Sequence, residues 1–242
     1  LNKRRHQTPF KVWLIVAFFG RVPSVSTSLE ANAPALDRRI VELSAAVAYG
    51  ELAGFFRMSS DAQLAPSISD SASLARLANI EFNHYFVLAD FLAGHGVDVE
   101  HEMGKFVPAF EAFHERTMPA DWFECLVKAY VGDSIAVDFY REIAGSLDPE
   151  LQQIILQVAN SDEHMDFLVT TLGAAIFDDP KLAGRLALWA RRLVGEAMAQ
   201  AQALAVEHQG LFDLFATMDI ARVFKKLTEN HTHRMQRLGL AP

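Results

Sequence analysis

The stretch Glu81-Phe82-Asn83-His84-Tyr85 decides how this chain is read. A Glu-x-x-His pair on a helix sets both side chains on one face, about one turn apart. Leu77 and Leu88 lie on the same stripe, so Glu81 and His84 are expected to face an apolar interior. A carboxylate and an imidazole buried together are costly without compensation. A metal ion that takes both as ligands supplies it. Alone the pattern is common on helix surfaces, so its meaning depends on the rest of the chain.

Upstream, Glu51 sits in Ala48-Tyr49-Gly50-Glu51-Leu52-Ala53-Gly54-Phe55, a carboxylate ringed by small and apolar residues. Downstream, Tyr130-Val131-Gly132-Asp133-Ser134-Ile135-Ala136 repeats that local pattern, with Leu126, Tyr130, Val137 and Tyr140 on the stripe of Asp133. Helix interiors disfavour Asp, so Asp133 needs a reason to be there. His164 follows Asn160-Ser161-Asp162-Glu163. Glu51 and His84 are 33 residues apart, Asp133 and His164 are 31. Two helix pairs thus each present an acid and then a histidine at nearly one separation. Packed together they bring the five groups to the bundle centre, as in carboxylate-bridged di-iron sites. Oxygen-rich ligands with one imidazole per metal suit iron, or manganese, better than zinc. A second Glu-x-x-His would need an acid at 161, where this chain has Ser161. The expected site is therefore asymmetric, with two irons of which the second is held less firmly.

A period of 3.6 residues dominates the whole sequence, with no clear strand alternation. Helices are expected over about 35–59, 71–94, 120–146, 149–176, 180–208 and 217–238. A shorter helical connection over about 98–116 is expected to break at Pro108. The predicted fold class is all-α: a ferritin-like four-helix bundle with a long crossover and two additional C-terminal helices. In domain terms, residues 1–33 read as an N-terminal extension and 34–240 as one helical domain. Its core bundle spans 35–177 and its appended helices 180–238.

The remaining composition narrows the setting. The chain has 242 residues, 51% of them hydrophobic, enough for one sizeable core. Its single cysteine, Cys125, excludes an intrachain disulfide and reads as a small buried hydrophobe. That usage fits the cytoplasm. Lys3, Arg4 and Arg5 ahead of the apolar run Val12 to Phe19 mimic a signal peptide, but the run is too short to span a bilayer. The formal charge of −8 is uneven: residues 31–180 carry −16, while the first 30 and the last 62 carry +4 each.

At these residues the chain resembles the actinobacterial ferritin-like proteins related to tRNA 2-methylthio-N6-isopentenyladenosine hydroxylase. Ala48 to Leu52, Glu81 to Tyr85, Val127 to Asp133, Asp138 to Glu142 and Gly184 to Trp189 carry the likeness, which covers roughly residues 38–240. The resemblance implies a non-haem di-iron monooxygenase that hydroxylates an isopentenyl group on a tRNA adenosine. It implies that Glu51, Glu81, His84, Asp133 and His164 hold the irons. Ser161 departs from the acid that the hydroxylases carry there.

Several further residues attach to this reading. Lys181, Arg185, Arg191 and Arg192, with Trp189 among them, are candidates for an RNA-facing patch, although Trp189 packing onto the bundle is the plainer reading. Arg222, Lys225, Lys226, Arg234 and Arg237 extend the basic C-terminal section. Tyr49, Tyr85, Tyr130 and Ser161 are expected to line the site. His231 and His233 fall on different helix faces and read as a solvated tail. Expected partners are tRNA, an electron donor and a second copy of the chain, with no membrane partner. The alternatives to an oxygenase are a ferroxidase or iron-handling protein, which the acidic body would suit, and a non-catalytic bundle.

Overall fold

Each long helix starts where a short polar side chain can take up the free N–H groups of its first turn. In the computed structural model, which describes residues 36–160 and 165–241, Asp37 accepts from Arg39 N and opens α1, Arg38–Asp61. Ser67 accepts from Asp70 N and opens α2, Ile68–Gly94. Two short helices, α3 (Val99–Gly104) and α4 (Val107–Arg116), form the crossover. Asp121 caps α5, Trp122–Ala144, and Asp148 caps α6, Pro149–Val158. Helix α7 runs Met165–Asp178, and Asp179 caps α8, Pro180–Glu207. Two more follow, α9 (Gln209–Ala216) and α10 (Ile220–Arg237), the latter capped by Asp219. Among the described residues there is no strand. None of their helices is long and apolar enough to cross a membrane.

Three expectations need correction. The helix expected over 149–176 is in two pieces: α6 ends at Val158, and Ala159 and Asn160 are not helical. The Ala159 carbonyl accepts instead from Arg141 of α5 at 2.8 Å. Pro108 does not interrupt a helix but lies in the first turn of α4, where its missing N–H costs nothing. The break falls before it, at Lys105 and Phe106. Residues 209–216, expected as a connection, form α9. Its N-terminal turn is held by the buried Glu42 of α1, which accepts from Leu211 N at 3.1 Å. A Cβ on Gly210 would stand 2.7 Å from the Glu42 carboxylate and 2.9 Å from the Arg38 carbonyl, so only glycine admits this approach. The expected N-terminal extension, with its signal-like run, lies outside the described residues.

The core is two apolar clusters joined end to end. One gathers Ala45 and Ala48 of α1, Leu88 and Leu92 of α2, Tyr140 and Ile143 of α5, and Leu151 and Ile155 of α6. The other gathers Leu74 and Leu77 of α2, Leu126 and Tyr130 of α5, Leu168 and Leu172 of α7, and Leu186 and Trp189 of α8. Between the two, each of α1, α2 and α5 passes through a short polar band. Glu51, Glu81 and Asp133 are the residues at that level.

Candidate metal centre

Glu51 is 5% exposed and Glu81 9%. His84, one turn along α2 from Glu81, directs Nδ1 at Glu51 Oε2, 3.2 Å away. One ligand atom from each of Glu51, Glu81 and His84 can be chosen so that all lie within 4.8 Å of one another, the spacing of groups that share one ion. From α5, Tyr140 donates its hydroxyl to Glu51 Oε1 at 3.1 Å. Asp133 lines the same cavity as Glu51 and Glu81, and its Oδ2 is buried without a hydrogen-bond partner.

Three buried carboxyls at one level of the bundle are costly to ionise together without a cation. Burial pushes Glu51 up to about 7, with the Asp133 charge adding to it. Burial pushes Glu81 and Asp133 well above the ordinary carboxylate range; the Glu51 charge raises Glu81 further, and the Glu81 charge raises Asp133. Burial lowers His84, favouring the neutral imidazole that a metal needs. The tyrosine hydroxyl is driven upward by its own burial and by Glu51, so it remains a donor. Without metal the cluster shares protons; a divalent cation would replace them. The orphaned Oδ2 and the donor set, three carboxyls and one imidazole, fit an iron or manganese ion.

Glycine makes room for this packing. A Cβ on Gly54 would lie 3.3 Å from Glu81 Oε2, so the glycine lets the Glu81 carboxyl lie close against α1.

The centre opens on one side into a cavity of about 870 Å³. Glu51, Glu81 and Asp133 line one part of it, and most of the wall is apolar. Phe110 of α4, Phe139 of α5, Leu193 and Met198 of α8, Phe212 of α9 and Leu227 of α10 are among the lining residues. The C-terminal helices expected to trail the bundle therefore form much of the wall beside the acids.

The structure sorts the other expected site residues. His164 and Ser161 lie outside the described residues. Of the expected tyrosines, Tyr49 donates to Glu111 at 3.4 Å, Tyr85 packs among Phe82 and Phe86, and Tyr130 is buried in the second apolar cluster. The tyrosine on the acids is Tyr140, already on the Asp133 stripe in the sequence. Cys125 is 1% exposed, as expected, and burial beside Asp61 pushes its thiol up to about 12.

The basic C-terminal residues and the two late histidines fall as follows. Trp189 is buried and donates its indole N–H to the Glu124 carbonyl at 3.0 Å, so it packs α8 onto the bundle. Arg185 pairs with Asp121 and Glu124, Arg192 donates to the Arg116 carbonyl, and Arg191 reaches the Ala241 carbonyl. Lys181 stands exposed in the first turn of α8. His231 is not in a solvated tail: it is 7% exposed and lines the cavity, while His233 is exposed. The two histidines do fall on different faces, but one of those faces turns inward.

A family model described as "Ferritin-like domain, actinomycetes" matches residues 34–218. No curated protein sequence matched. Among solved structures, "Protein 19 with aldehyde deformylating oxidase activity from Synechococcus" superposes with a TM-score of 0.65 at 22% identity. That match covers 85% of this chain and 94% of the other. At that identity it supports the fold, a ferritin-like helical bundle, as expected from the sequence.

Proposed function

The chain belongs to the ferritin-like domain family of actinomycetes, and we propose that it is a non-haem di-iron oxidoreductase that inserts oxygen into a largely apolar substrate. One observation carries this reading: a cavity of about 870 Å³ reaches Glu51, Glu81 and Asp133 directly. A purely structural bundle would close such a space, because protein interiors pack densely. A ferroxidase would need a polar entry path for iron, whereas this wall is mainly apolar. The aldehyde deformylating oxidase activity of the Synechococcus neighbour supports oxidative chemistry on this architecture.

Glu51, Glu81 and His84 would hold one ion, and Asp133 would extend the site towards a second. His164 is the histidine that the 31-residue spacing assigns to that second ion. Two bound irons, supplied with electrons by an external donor, would provide the activation of dioxygen. The chain's own residues do the rest. Tyr140 holds Glu51 in one orientation through its hydroxyl. Gly54 lets Glu81 lie against α1. The apolar walls keep bulk water from the site and align the substrate by shape.

A tRNA nucleoside is the less well supported substrate. Arg185 and Arg192 are engaged within the chain and Trp189 is buried, which removes much of the expected RNA-facing patch.

The test is iron content and oxygen uptake together. Protein grown with iron should carry about two irons per chain and consume oxygen, with a reductant, when apolar substrates are added. Ala197→Trp, on the cavity wall, should keep the iron and lose substrate-stimulated uptake. Metal-free wild type whose stability is indifferent to chelator would overturn the proposal. Nucleosides from cells with and without the protein test the tRNA form: unchanged hydroxylated isopentenyladenosine would remove it.

A further inference from the structure

Helix α10 turns a stripe at helical spacing towards the cavity: Ile220, Val223, Phe224, Leu227 and His231. Four of these are apolar, and the stripe continues into the buried Met235 and Leu238. His231 breaks the pattern. It is 7% exposed, and neither of its ring nitrogens has a hydrogen-bond partner. A neutral imidazole carries one donor and one acceptor, and burying both unmatched costs free energy that a leucine in that place would not. The other orphaned polar atoms on this cavity are Asp133 Oδ2, which belongs to the metal centre, and His114 Nδ1 on α4.

The helix that carries the ring is anchored. Arg234, one turn further along α10, pairs with the buried Asp138 of α5 at 2.7 Å and ties the two helices together. His231 lines the same cavity as Glu51, Glu81 and Asp133. Burial and the Arg234 charge hold the imidazole below its ordinary range. A neutral ring suits a neutral hydrogen-bonding group better than an anion.

We propose that His231 is the substrate-recognition residue of the cavity, hydrogen-bonding a hydroxyl or carbonyl oxygen carried by an otherwise apolar ligand. This names a substrate class for the oxygenase reading, but it depends on the cavity and not on the metal. An apolar molecule anchored by one oxygen to α10 would have its chain oriented relative to Glu51, Glu81 and Asp133.

The probe is displacement of N-phenyl-1-naphthylamine from the full chain by 1-octanol, 2-octanone and 1-chlorooctane, corrected for their partitioning. Wild type should favour the two oxygenated compounds by about tenfold, the worth of one net hydrogen bond. His231→Leu should erase that preference, and His231→Asn should retain part of it. Iron content should be the same in all three proteins, so a loss of metal tests the di-iron reading and not this one. An equal preference in wild type and His231→Leu overturns the proposal. So does a more stable His231→Leu with unchanged selectivity, which is the signature of a merely misplaced core histidine. If His231→Leu does not fold, wild type alone decides: no preference for the oxygenated compounds overturns the proposal.

Discussion

His84 Nδ1 stands 3.2 Å from Glu51 Oε2, across the interface of α1 and α2. The contact joins residues 33 positions apart and turns a helix-surface pattern into a site. It also explains why Glu81 is buried: His84 and Glu81 share a face of α2, and that face meets Glu51.

Removing single ligands should separate metal binding from folding. Glu81→Gln keeps the shape of the side chain and removes a carboxyl that burial holds above its ordinary range. Metal-free Glu81→Gln should be as stable as wild type or more so, by about 1–2 kcal/mol. Its iron content, read by atomic emission, should fall below half that of wild type. Equal iron in both would exclude Glu81 as a ligand.

Metal-free protein should lose stability as pH rises. Glu51 ionises near pH 7 when folded and near 4.5 when unfolded. Its contribution is therefore fully present below 4.5 and is lost as pH climbs through 7. Glu81 and Asp133 are shifted in the same direction. Thermal unfolding between pH 5 and 8 should show a decline on the order of 3 kcal/mol from Glu51 alone. Bound metal replaces the protons, so the loaded protein should show a much flatter profile. A metal-free stability that rises over this interval would contradict the buried, protonated cluster.

Gly54→Ala should affect site and fold in opposite directions. Alanine favours a helix interior over glycine by about 1 kcal/mol. The new methyl, however, would sit 3.3 Å from Glu81 Oε2 and displace that carboxylate. Titration with ferrous iron should show weaker binding, by about tenfold, in a protein whose melting temperature is unchanged or higher. Unaltered affinity would mean that Glu81 has slack the geometry does not suggest.

The Arg234–Asp138 pair offers a stability test that removes no proposed metal ligand. Asp138 is 3% exposed, and the pair joins α10 to α5. Breaking it with Arg234→Met leaves a buried carboxylate without its partner and should cost about 3–5 kcal/mol. Adding Asp138→Leu should recover most of that loss. Chemical denaturation of the two single variants and the double variant forms the cycle that measures it.

Helix type, the caps and the central acids were legible in the sequence because each depends on neighbours within a turn. Asp121, Asp148 and Asp179 precede regular apolar periods, and each caps a helix. Glu51, Glu81 and Asp133 could be chosen because a carboxylate among small and apolar residues has no solvent side to face. Tyr140 was visible on the Asp133 stripe, yet only packing decided that its hydroxyl meets Glu51 while Tyr49 turns to Glu111. The sequence also left α9 unread and placed His231 in solvent. A short helix held by a glutamate 169 positions earlier has no local signal. An imidazole near a basic chain end looks solvated until α10 folds back against α5. The sequence by itself determined an all-helical bundle with acids and a histidine turned inward, since periodicity and burial cost are local. The cavity, its C-terminal walls and the histidine inside it were decided only by tertiary structure, because they depend on which helix faces meet across long separations.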